Sequence, residues 1–259
     1  MSEALIRLER DGHVATVTLA RSAKLNSLTP AMLDQLERCA RDLEADEAVR
    51  AVVLAADGDK AFCVGADINE WAALAALDMW RRWVRRGHQV FDQWARLRQP
   101  VIAALNGHTF GGGLELAITA DIRVTVDSAQ FALPEAAIAT CPGWSGTQRL
   151  VALIGASRAK YLALSGRRIT AAEALAAGLV HQVVPPAELR ASAVALAHEL
   201  AGKAPVSVQL TKQLVNAASG EDRAATIEAM AGALAATTED AAEGIRSFRE
   251  RRAPNYVGR

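Results

Sequence analysis

The sequence has no excess of charge of either sign. Its 259 residues include 29 lysines and arginines against 29 aspartates and glutamates, so the formal net charge is zero. A neutral chain has no overall field to attract a polyanion, and we expect neither nucleic acid nor an anionic membrane as its main partner. The length predicts one globular unit or a large domain with an appendage, able to bury about three quarters of its unfolded surface.

Cysteine and long apolar runs are also scarce. The three cysteines, Cys39, Cys63 and Cys141, are an odd number without a short repeated spacing. This pattern argues against a disulfide framework and against a zinc site, and it predicts a reducing compartment. The first twelve residues carry acidic side chains and no apolar core of a leader, and no stretch approaches the ~20 apolar residues of a membrane span. We therefore expect a cytoplasmic protein without a membrane segment or a metal site.

Apolar periodicity predicts an αβ core. Alternation around Ile6 and over 14–19 predicts a hairpin that turns at Asp11 and Gly12. Thr29 followed by Pro30 predicts the start of a helix. The apolar positions of that helix recur at helical spacing: Met32, Leu33, Leu36, Ala40 and Leu43. Further strands are predicted at 51–55, 101–105, 122–126 and 179–184, and helical segments at 66–97, 114–120 and after the Thr170/Glu173 capping box.

The chain changes character towards its C-terminus. Beyond about residue 187 no strand pattern remains, and the last seventy or so residues are alanine-rich with helical periodicity, interrupted near Gly202 and Gly220. We place a boundary near residue 200, with a core over 1–200 and a helical region over 201–259. Such a tail is expected to pack on its own core or on another subunit.

Two glycine-bearing loops are candidates for stabilising negative charge. The triple glycine 111–113 in NGHTFGGGLELA lies between a buried strand and a helix, and AFCVGADINEW places N–H groups around Gly65 and Ala66 in a similar position. Two backbone donors that converge on one oxygen form an oxyanion hole. The alternative is a plain strand-to-helix turn in each case, with Glu115 near the helix N-terminus and Asp67 as a helix cap. The glycines do not spell the dinucleotide-binding G-x-G-x-x-G.

Two glutamates are candidates for acid and base chemistry. Glu115 follows the triple glycine, and Glu135 lies twenty positions later in a segment bracketed by Pro134 and Pro142. Converging carboxylates catalyse proton transfer when their environments keep one of them protonated. The alternative is that both glutamates lie on the surface, as most do.

Three other features favour structural roles. Ser145 in GWSG lacks the G-x-S-x-G spacing of a nucleophile elbow and is interpreted as a loop or helix-cap residue. The five histidines include no HExxH pair. The run of arginines and tryptophans at 80–86 is typical either of an anion or RNA site or of a solvated helix face with its aromatic side chains turned inward, and we favour the second.

These motifs in order resemble one known family. AFCVGADINEW, PVIAALNGHTFGGGLELAITADIRV, AQFALPEAAIATCPGWSGTQRL, SGRRITAAEALAAGLVHQVV and TTEDAAEGIRSFRERRAPNYVGR together resemble the enoyl-CoA hydratase/isomerase family, the crotonases. The resemblance covers nearly the whole chain. It implies a spiral of repeated ββα units, a C-terminal helical trimerisation region, and homotrimers or dimers of trimers.

The resemblance also implies a set of catalytic residues. The oxyanion hole of the family falls on the N–H groups of Ala66 and Gly112, which would hold the thioester carbonyl of an acyl-CoA. The two acid/base glutamates of its hydratases fall on Glu115, which would help to activate water for attack at C3, and Glu135, which would deliver a proton to C2. Gly143 matches a loop glycine beside the reacting atoms. No separate cofactor is expected, because coenzyme A is part of the substrate.

The substrate arm is implied in the same way. The CoA moiety would lie along two loops, and two tail residues would reach its nucleotide end, usually from a neighbouring subunit. The positions are Lys24, Leu25, Ser27, Ala66, Asp67, Ile68, Phe248 and Arg251. The family pattern PGAGGTQ reads PGWSGTQ here, which places Trp144 near the catalytic loop as a further substrate-binding residue.

The expected activity is therefore that of an enoyl-CoA hydratase in fatty acid metabolism or β-oxidation. Three alternatives remain open at this point. One is an enoyl-CoA isomerase, which moves a proton with one glutamate. Another is a specialised, carnitinyl-type hydratase or dehydratase, which fits FALPEA and the Trp144 departure. The third is an RNA-binding protein on the same fold, against which the neutral charge argues.

Overall fold

A computed structural model describes residues 4–259. The expectation about a leader rests partly on residues 1–3, which lie outside this range. Two compact units can be distinguished, one up to Gln209 and the other Leu210–Arg259. Among the described residues, no helix combines the length and the apolar character needed to cross a membrane.

The first unit is built on two sheets. A six-stranded sheet has the order β1-β2-β3-β5-β7-β10 and is parallel except for the hairpin of β1 and β2, while a four-stranded sheet has the order β4-β6-β8-β9. The strands are β1 (Ile6–Asp11), β2 (Val14–Leu19), β3 (Ala51–Ala56), β4 (Ala61–Cys63), β5 (Val101–Leu105), β6 (His108–Phe110), β7 (Ile122–Val126), β8 (Gln130–Ala132), β9 (Ile169–Thr170) and β10 (Gln182–Val184).

From β3 to β8 the chain alternates between the two sheets. Each turn adds one strand to the large sheet and the next to the small one, so that β3, β5 and β7 pair in parallel while β4, β6 and β8 do the same. This is the predicted spiral of repeated ββα units, which is confirmed. The large-sheet strands 51–54 and 101–105 are buried apolar runs, as expected for a parallel sheet covered on both faces.

The helices follow the predicted pattern with shifted bounds. Thr29 caps the first helix by accepting a hydrogen bond from the Met32 N–H at 3.2 Å, and all five predicted apolar positions of that helix are buried. The helix after the triple glycine begins at Gly112, two residues earlier than predicted. The helices are α1 (Pro30–Ala45), α2 (Ile68–Trp71), α3 (Ala76–Asp78), α4 (Arg85–Arg96), α5 (Gly112–Ala117), α6 (Gly146–Ser165), α7 (Ala171–Ala176), α8 (Leu189–Ala201), α9 (Pro205–Ala218), α10 (Arg223–Ala236) and α11 (Glu239–Glu250).

A π-helical turn, Met79–Val84, precedes α4 and corrects one expectation. The aromatic side chains of 80–86 do not all turn inward: Trp83 is buried, but Trp80 is 55% exposed, with the Arg85 guanidinium 5.9 Å from its ring centroid. Residues three apart share one face of an α-helix, and the wider π-helical turn removes that relation.

The second unit contains the end of α9 together with α10 and α11. The C-terminal segment returns to α11, where the Val257 and Gly258 N–H groups donate to Asp240 at 2.6 and 2.8 Å. Several large apolar side chains of this unit are exposed: Leu214, Val215, Ile227, Leu234, Ile245 and Phe248. They come from α9, α10 and α11, so each helix of this unit presents apolar side chains at its surface.

Candidate active site

One pocket of the first unit collects residues from both glycine-bearing loops. It has a cavity volume of about 280 Å³ and is lined mainly by apolar side chains, and its carboxylates are Glu115 and Glu135. Gly65, Ala66, Gly111, Gly112, Gly143 and Trp144 also line it. A small apolar cavity with a few convergent polar groups is the usual form of a ligand site.

The backbone at Ala66 and Gly112 forms a pair of adjacent donors. An ideal Cβ built on Gly112 would lie 3.6 Å from the Ala66 nitrogen, and one built on Gly65 would lie 3.2 Å from the Gly112 nitrogen. Among residues 4–259, neither N–H has a hydrogen-bond acceptor. Gly112 is the first residue of α5, where such donors are left free by the helix geometry. The two N–H groups can therefore bind one oxygen of a ligand.

The loop conformation that aligns these donors requires glycine at two positions. Gly111 has φ 52° and ψ −129°, and a Cβ there would lie 2.9 Å from Glu135 Oε1. Gly65 has φ +100°, and a Cβ there would contact the Phe110 carbonyl oxygen at 3.1 Å. Residues that have a Cβ disfavour both of these backbone conformations. The sequence therefore has glycine where the two loops approach each other closely.

Glu115 is buried and held by the loop that follows Glu135. Its Oε1 accepts hydrogen bonds from the N–H groups of Trp144 at 2.9 Å and Gly146 at 3.0 Å. Burial raises the pKa of Glu115, while the N–H groups of Trp144, Gly146 and Gly143 oppose this rise. Donors fixed on one oxygen orient the carboxylate and leave Oε2 for a ligand, which suits a base.

Glu135 has the complementary environment. It begins a short 3₁₀ turn, Glu135–Ile138, it is 9% exposed, and its Oε2 has no hydrogen-bond partner within residues 4–259. Burial raises the pKa of Glu135 to about 7, and the charge of Glu115 adds to this rise. Two neighbouring carboxyl groups in different environments, one bound by backbone N–H groups and the other with a pKa of about 7, are an arrangement suited to acid/base catalysis.

Asp92 supports this loop from α4, and sequence reasoning missed it. Its Oδ1 accepts hydrogen bonds from Ser145 Oγ at 2.9 Å and from Arg149 Nη2 at 2.8 Å. Burial opposes ionisation, but these two donors hold the pKa of Asp92 below its ordinary value. Ser145 precedes α6 as expected, yet its hydroxyl bonds Asp92 and does not cap the helix. Asp92 thus positions the loop that binds Glu115.

The predicted CoA-binding residues of the first unit fall on two adjoining loops. The Leu28 N–H donates to the Gly65 carbonyl at 2.8 Å, and the Asp67 N–H donates to the Leu28 carbonyl at 2.9 Å. These two hydrogen bonds join the loops that carry the predicted residues. One loop contains Lys24, Leu25 and Ser27, and the other contains Ala66, Asp67 and Ile68. Arg21 contacts both, since its Nη1 lies 2.7 Å from Ser27 Oγ and 2.8 Å from Asp67 Oδ2.

The two predicted tail residues belong to the second unit. Phe248 is 85% exposed, and Arg251 ends α11 in the left-handed conformation with φ 54°.

The raised pKa of Glu135 makes a prediction about stability. The folded-state pKa of Glu135 lies above the ordinary value, so protonation of this carboxyl favours the folded state. Its contribution to the free energy of unfolding is complete at low pH and is lost as pH rises through about 7. Glu135→Gln carries no charge at this position. At pH 8 it should therefore unfold at a higher temperature than the parent, with a free energy of unfolding larger by up to about 3 kcal/mol, and at pH 4 the two proteins should differ little.

Thermal unfolding of both proteins from pH 4 to pH 8 measures this effect. The exposed Glu188→Gln is the matched control and should follow the parent at every pH. A difference between Glu135→Gln and the parent that does not change with pH would mean that the buried carboxyl has an ordinary pKa.

Comparison with known proteins places this chain in one family. A model of the enoyl-CoA hydratase/isomerase family matches residues 9–259. The chain is 38% identical over 247 residues to the short-chain-enoyl-CoA hydratase of Clostridium acetobutylicum, covering 95% of this chain and 94% of that protein. It is 36% identical over 257 residues to the (E)-benzylidenesuccinyl-CoA hydratase of Thauera aromatica, covering 98% and 99%.

A solved structure agrees with the sequence comparison. The crystal structure of an enoyl-CoA hydratase from Bacillus anthracis matches with a TM-score of 0.81 and 37% identity, covering 98% of this chain and 100% of that one. The matches show more than a shared fold, since identities of 36–38% extend over 95% or more of this chain. This chain has the crotonase fold and belongs to the enoyl-CoA hydratase/isomerase family of enzymes.

Proposed function

We propose that this protein hydrates trans-2-enoyl-CoA thioesters. The observation that carries the proposal is the pair of pocket glutamates beside two free backbone donors, one carboxylate fixed by N–H groups and the other with a pKa raised to about 7. Several relatives bear hydratase names, which supports the same reaction.

The reaction follows from the roles of these groups. The thioester oxygen accepts hydrogen bonds from the N–H groups of Ala66 and Gly112, which stabilise the negative charge of the enolate. Glu115 removes a proton from water as its oxygen bonds to C3, and Glu135 gives its proton to C2. One water molecule is added in total, and Glu135 regains a proton and Glu115 releases one by exchange with solvent. Acid, base and charge stabilisation all come from the chain, so the proposal requires no cofactor.

The proposal is tested with the purified full-length protein and a panel of enoyl-CoA thioesters. Hydration removes the conjugated enone, so the absorbance of crotonyl-CoA should fall and a 3-hydroxyacyl-CoA should form. An isomerase would convert a 3-enoyl-CoA to the conjugated 2-enoyl-CoA and raise the absorbance instead. Isomerisation without hydration, or no reaction with any thioester of the panel, would overturn the proposal.

We further propose that CoA lies along the joined loops of Lys24–Ser27 and Ala66–Ile68, and that the protein assembles as a trimer or a dimer of trimers. The exposed apolar side chains of the second unit supply a surface for such assembly, and Leu234 and Phe248 are 71% and 85% exposed. In this arrangement Phe248 and Arg251 reach the nucleotide end of the CoA bound to a neighbouring subunit.

Deleting residues 221–259 should therefore impair assembly and CoA binding together. We expect light scattering to show loss of the trimer and calorimetry with an acyl-CoA to show at least about tenfold weaker binding, the equivalent of 1.4 kcal/mol. Arg251→Ala is the point control, which should weaken CoA binding while the trimer persists. A truncated chain that binds acyl-CoA as a monomer with unchanged affinity would contradict the proposal.

A further inference from the structure

Trp144 forms one wall of the pocket and is held from several sides. Its side chain is 3% exposed, with its ring centroid 5.3 Å from that of Trp83 and 5.2 Å from that of Phe91. The indole N–H donates to the Trp83 carbonyl at 3.3 Å. A buried aromatic ring that packs against two other rings and has a bonded N–H has few alternative rotamers. The indole is therefore less able to change its conformation than a methionine or leucine side chain would be at this position.

Gly87 of α4 makes room for this indole. A Cβ on Gly87 would lie 2.2 Å from Trp144 Nε1 and 2.3 Å from the adjoining ring carbon. Glycine is less favourable than alanine inside a helix, so its presence in α4 calls for a local reason. The reason is the contact with the indole, because no side chain at position 87 can coexist with Trp144 in its present place.

The other edge of the indole faces the reacting groups. A Cβ on Gly112 would lie 2.9 Å from two ring carbons of Trp144, and the backbone N–H of Trp144 bonds Glu115. The ring therefore packs against the oxyanion donor Gly112 and lines the pocket, while the backbone of the same residue binds Glu115. The cavity, at about 280 Å³, is at the small end of ligand pockets.

We propose that Trp144 and Gly87 act as a coupled pair that closes the acyl pocket and restricts the enzyme to short-chain enoyl thioesters. The inference rests on the proposed hydratase function and adds the class of acyl group. Family membership does not settle this point, because relatives of similar identity are named for a short-chain and for an aromatic acyl group. A long chain bound at the same catalytic atoms would need the space that the indole fills.

The test is a series of kcat/KM values for trans-2-enoyl-CoA substrates from four to twelve carbons, with one aromatic enoyl-CoA beside them. The parent should be most active on the four-carbon substrate and decline with length. Trp144→Ala should raise the ratio of long-chain to four-carbon activity by about 10-fold to 200-fold, the range for admitting or excluding a methylene group. Trp144→Phe should shift the ratio in the same direction by less, and it serves as the measured variant if Trp144→Ala does not fold.

Trp94→Phe is the matched control. Trp94 lies on α4, the helix of Gly87, is fully buried, and donates its indole N–H to the Leu36 carbonyl at 3.2 Å outside the pocket. It should lower the unfolding temperature without changing the length profile. An unchanged profile in folded Trp144→Phe and Trp144→Ala would overturn the proposal. So would a loss that is equal at every length, which would mean that Trp144 only supports Glu115, or a loss confined to an aromatic enoyl-CoA, which would mean that the indole stacks on the acyl group.

The coupling is tested by Gly87→Ala in both backgrounds. In the parent the methyl group collides with the indole, so the variant should unfold at a lower temperature. In the Trp144→Ala background the same change should be neutral or should raise the unfolding temperature, because alanine favours the helix. Equal effects in both backgrounds would overturn the pairing. If the parent hydrates no thioester of any length, the proposed function is wrong. The unfolding temperatures still test the coupling of Trp144 and Gly87, and calorimetry with saturated acyl-CoA thioesters of each length still tests whether the pair restricts acyl length.

Discussion

Glu135→Gln should lower the hydration of crotonyl-CoA by about 10²-fold to 10⁴-fold, the contribution of a positioned general acid. The amide fills the same volume but has no acidic proton to give to C2. Glu115→Gln should lose activity to a similar extent for a different reason, since an amide cannot remove the proton from water. Neither variant should lose its fold, because the pocket offers the new amides the same neighbours.

Exchange of the C2 protons separates the two roles. In D₂O, a saturated thioester such as butyryl-CoA should exchange its C2 hydrogens through the enolate, a reaction that needs the oxyanion donors and an ionised Glu135 but no attack at C3. Glu115→Gln should therefore retain exchange while it loses hydration, whereas Glu135→Gln should lose both. NMR measures the exchange directly. Exchange that is lost in Glu115→Gln and retained in Glu135→Gln would reverse the assignment of acid and base.

The pH dependence of the parent provides a second measurement. Hydration needs Glu135 protonated, so kcat/KM should fall as pH rises through about 7, the pKa to which burial and the charge of Glu115 raise this carboxyl. The two carboxylates interact, so the observed pKa values belong to the pair. The basic limb of the profile should disappear in the residual activity of Glu135→Gln. A basic limb that persists there would assign it to another group.

The parts of the fold that local patterns determine were predictable from the sequence. Helix α1 has its cap, its proline and its apolar stripe within sixteen residues, and each lies where the pattern indicates. The small sheet was missed because three of its strands, β4, β6 and β8, are three residues long. Such strands are too short for alternation to show, and their pairing depends on the spiral that brings distant loops together.

The site divides in the same way. The spacing of Glu115 and Glu135 in the sequence does not show that they lie close together in the structure. The expectation that they do came from the resemblance to a family. The supporting residues were not predictable at all. In the sequence, Asp92 and Gly87 show no feature that distinguishes them from surface positions of a helix. Their roles depend on contacts with Ser145 and Trp144, which are more than fifty residues away in the sequence. Contacts between remote loops carry this information, and local periodicity does not.

Blocking the oxyanion hole should have an effect of comparable size. In Gly65→Ala the new methyl group would lie 3.2 Å from the Gly112 nitrogen and 3.1 Å from the Phe110 oxygen, at a residue whose φ is +100°. We expect kcat for hydration to fall by about 10²-fold to 10³-fold, as for loss of one oxyanion donor. The affinity for a saturated acyl-CoA should fall less, because the enolate depends on these donors more than the ground-state carbonyl does.

Gly155→Ala separates obstruction of the hole from backbone strain. Gly155 also has a positive φ, +79°, but a Cβ there would contact no atom within 4 Å. Both substitutions should cost stability of the order of 1–3 kcal/mol through strain, measured as unfolding free energies, and only Gly65→Ala should lose kcat. Gly65→Ala should also lose the C2 exchange that Glu115→Gln retains, since exchange passes through the same enolate. If Gly65→Ala hydrates and exchanges at the rates of Gly155→Ala, the charge of the enolate is stabilised by groups other than the N–H pair of Ala66 and Gly112.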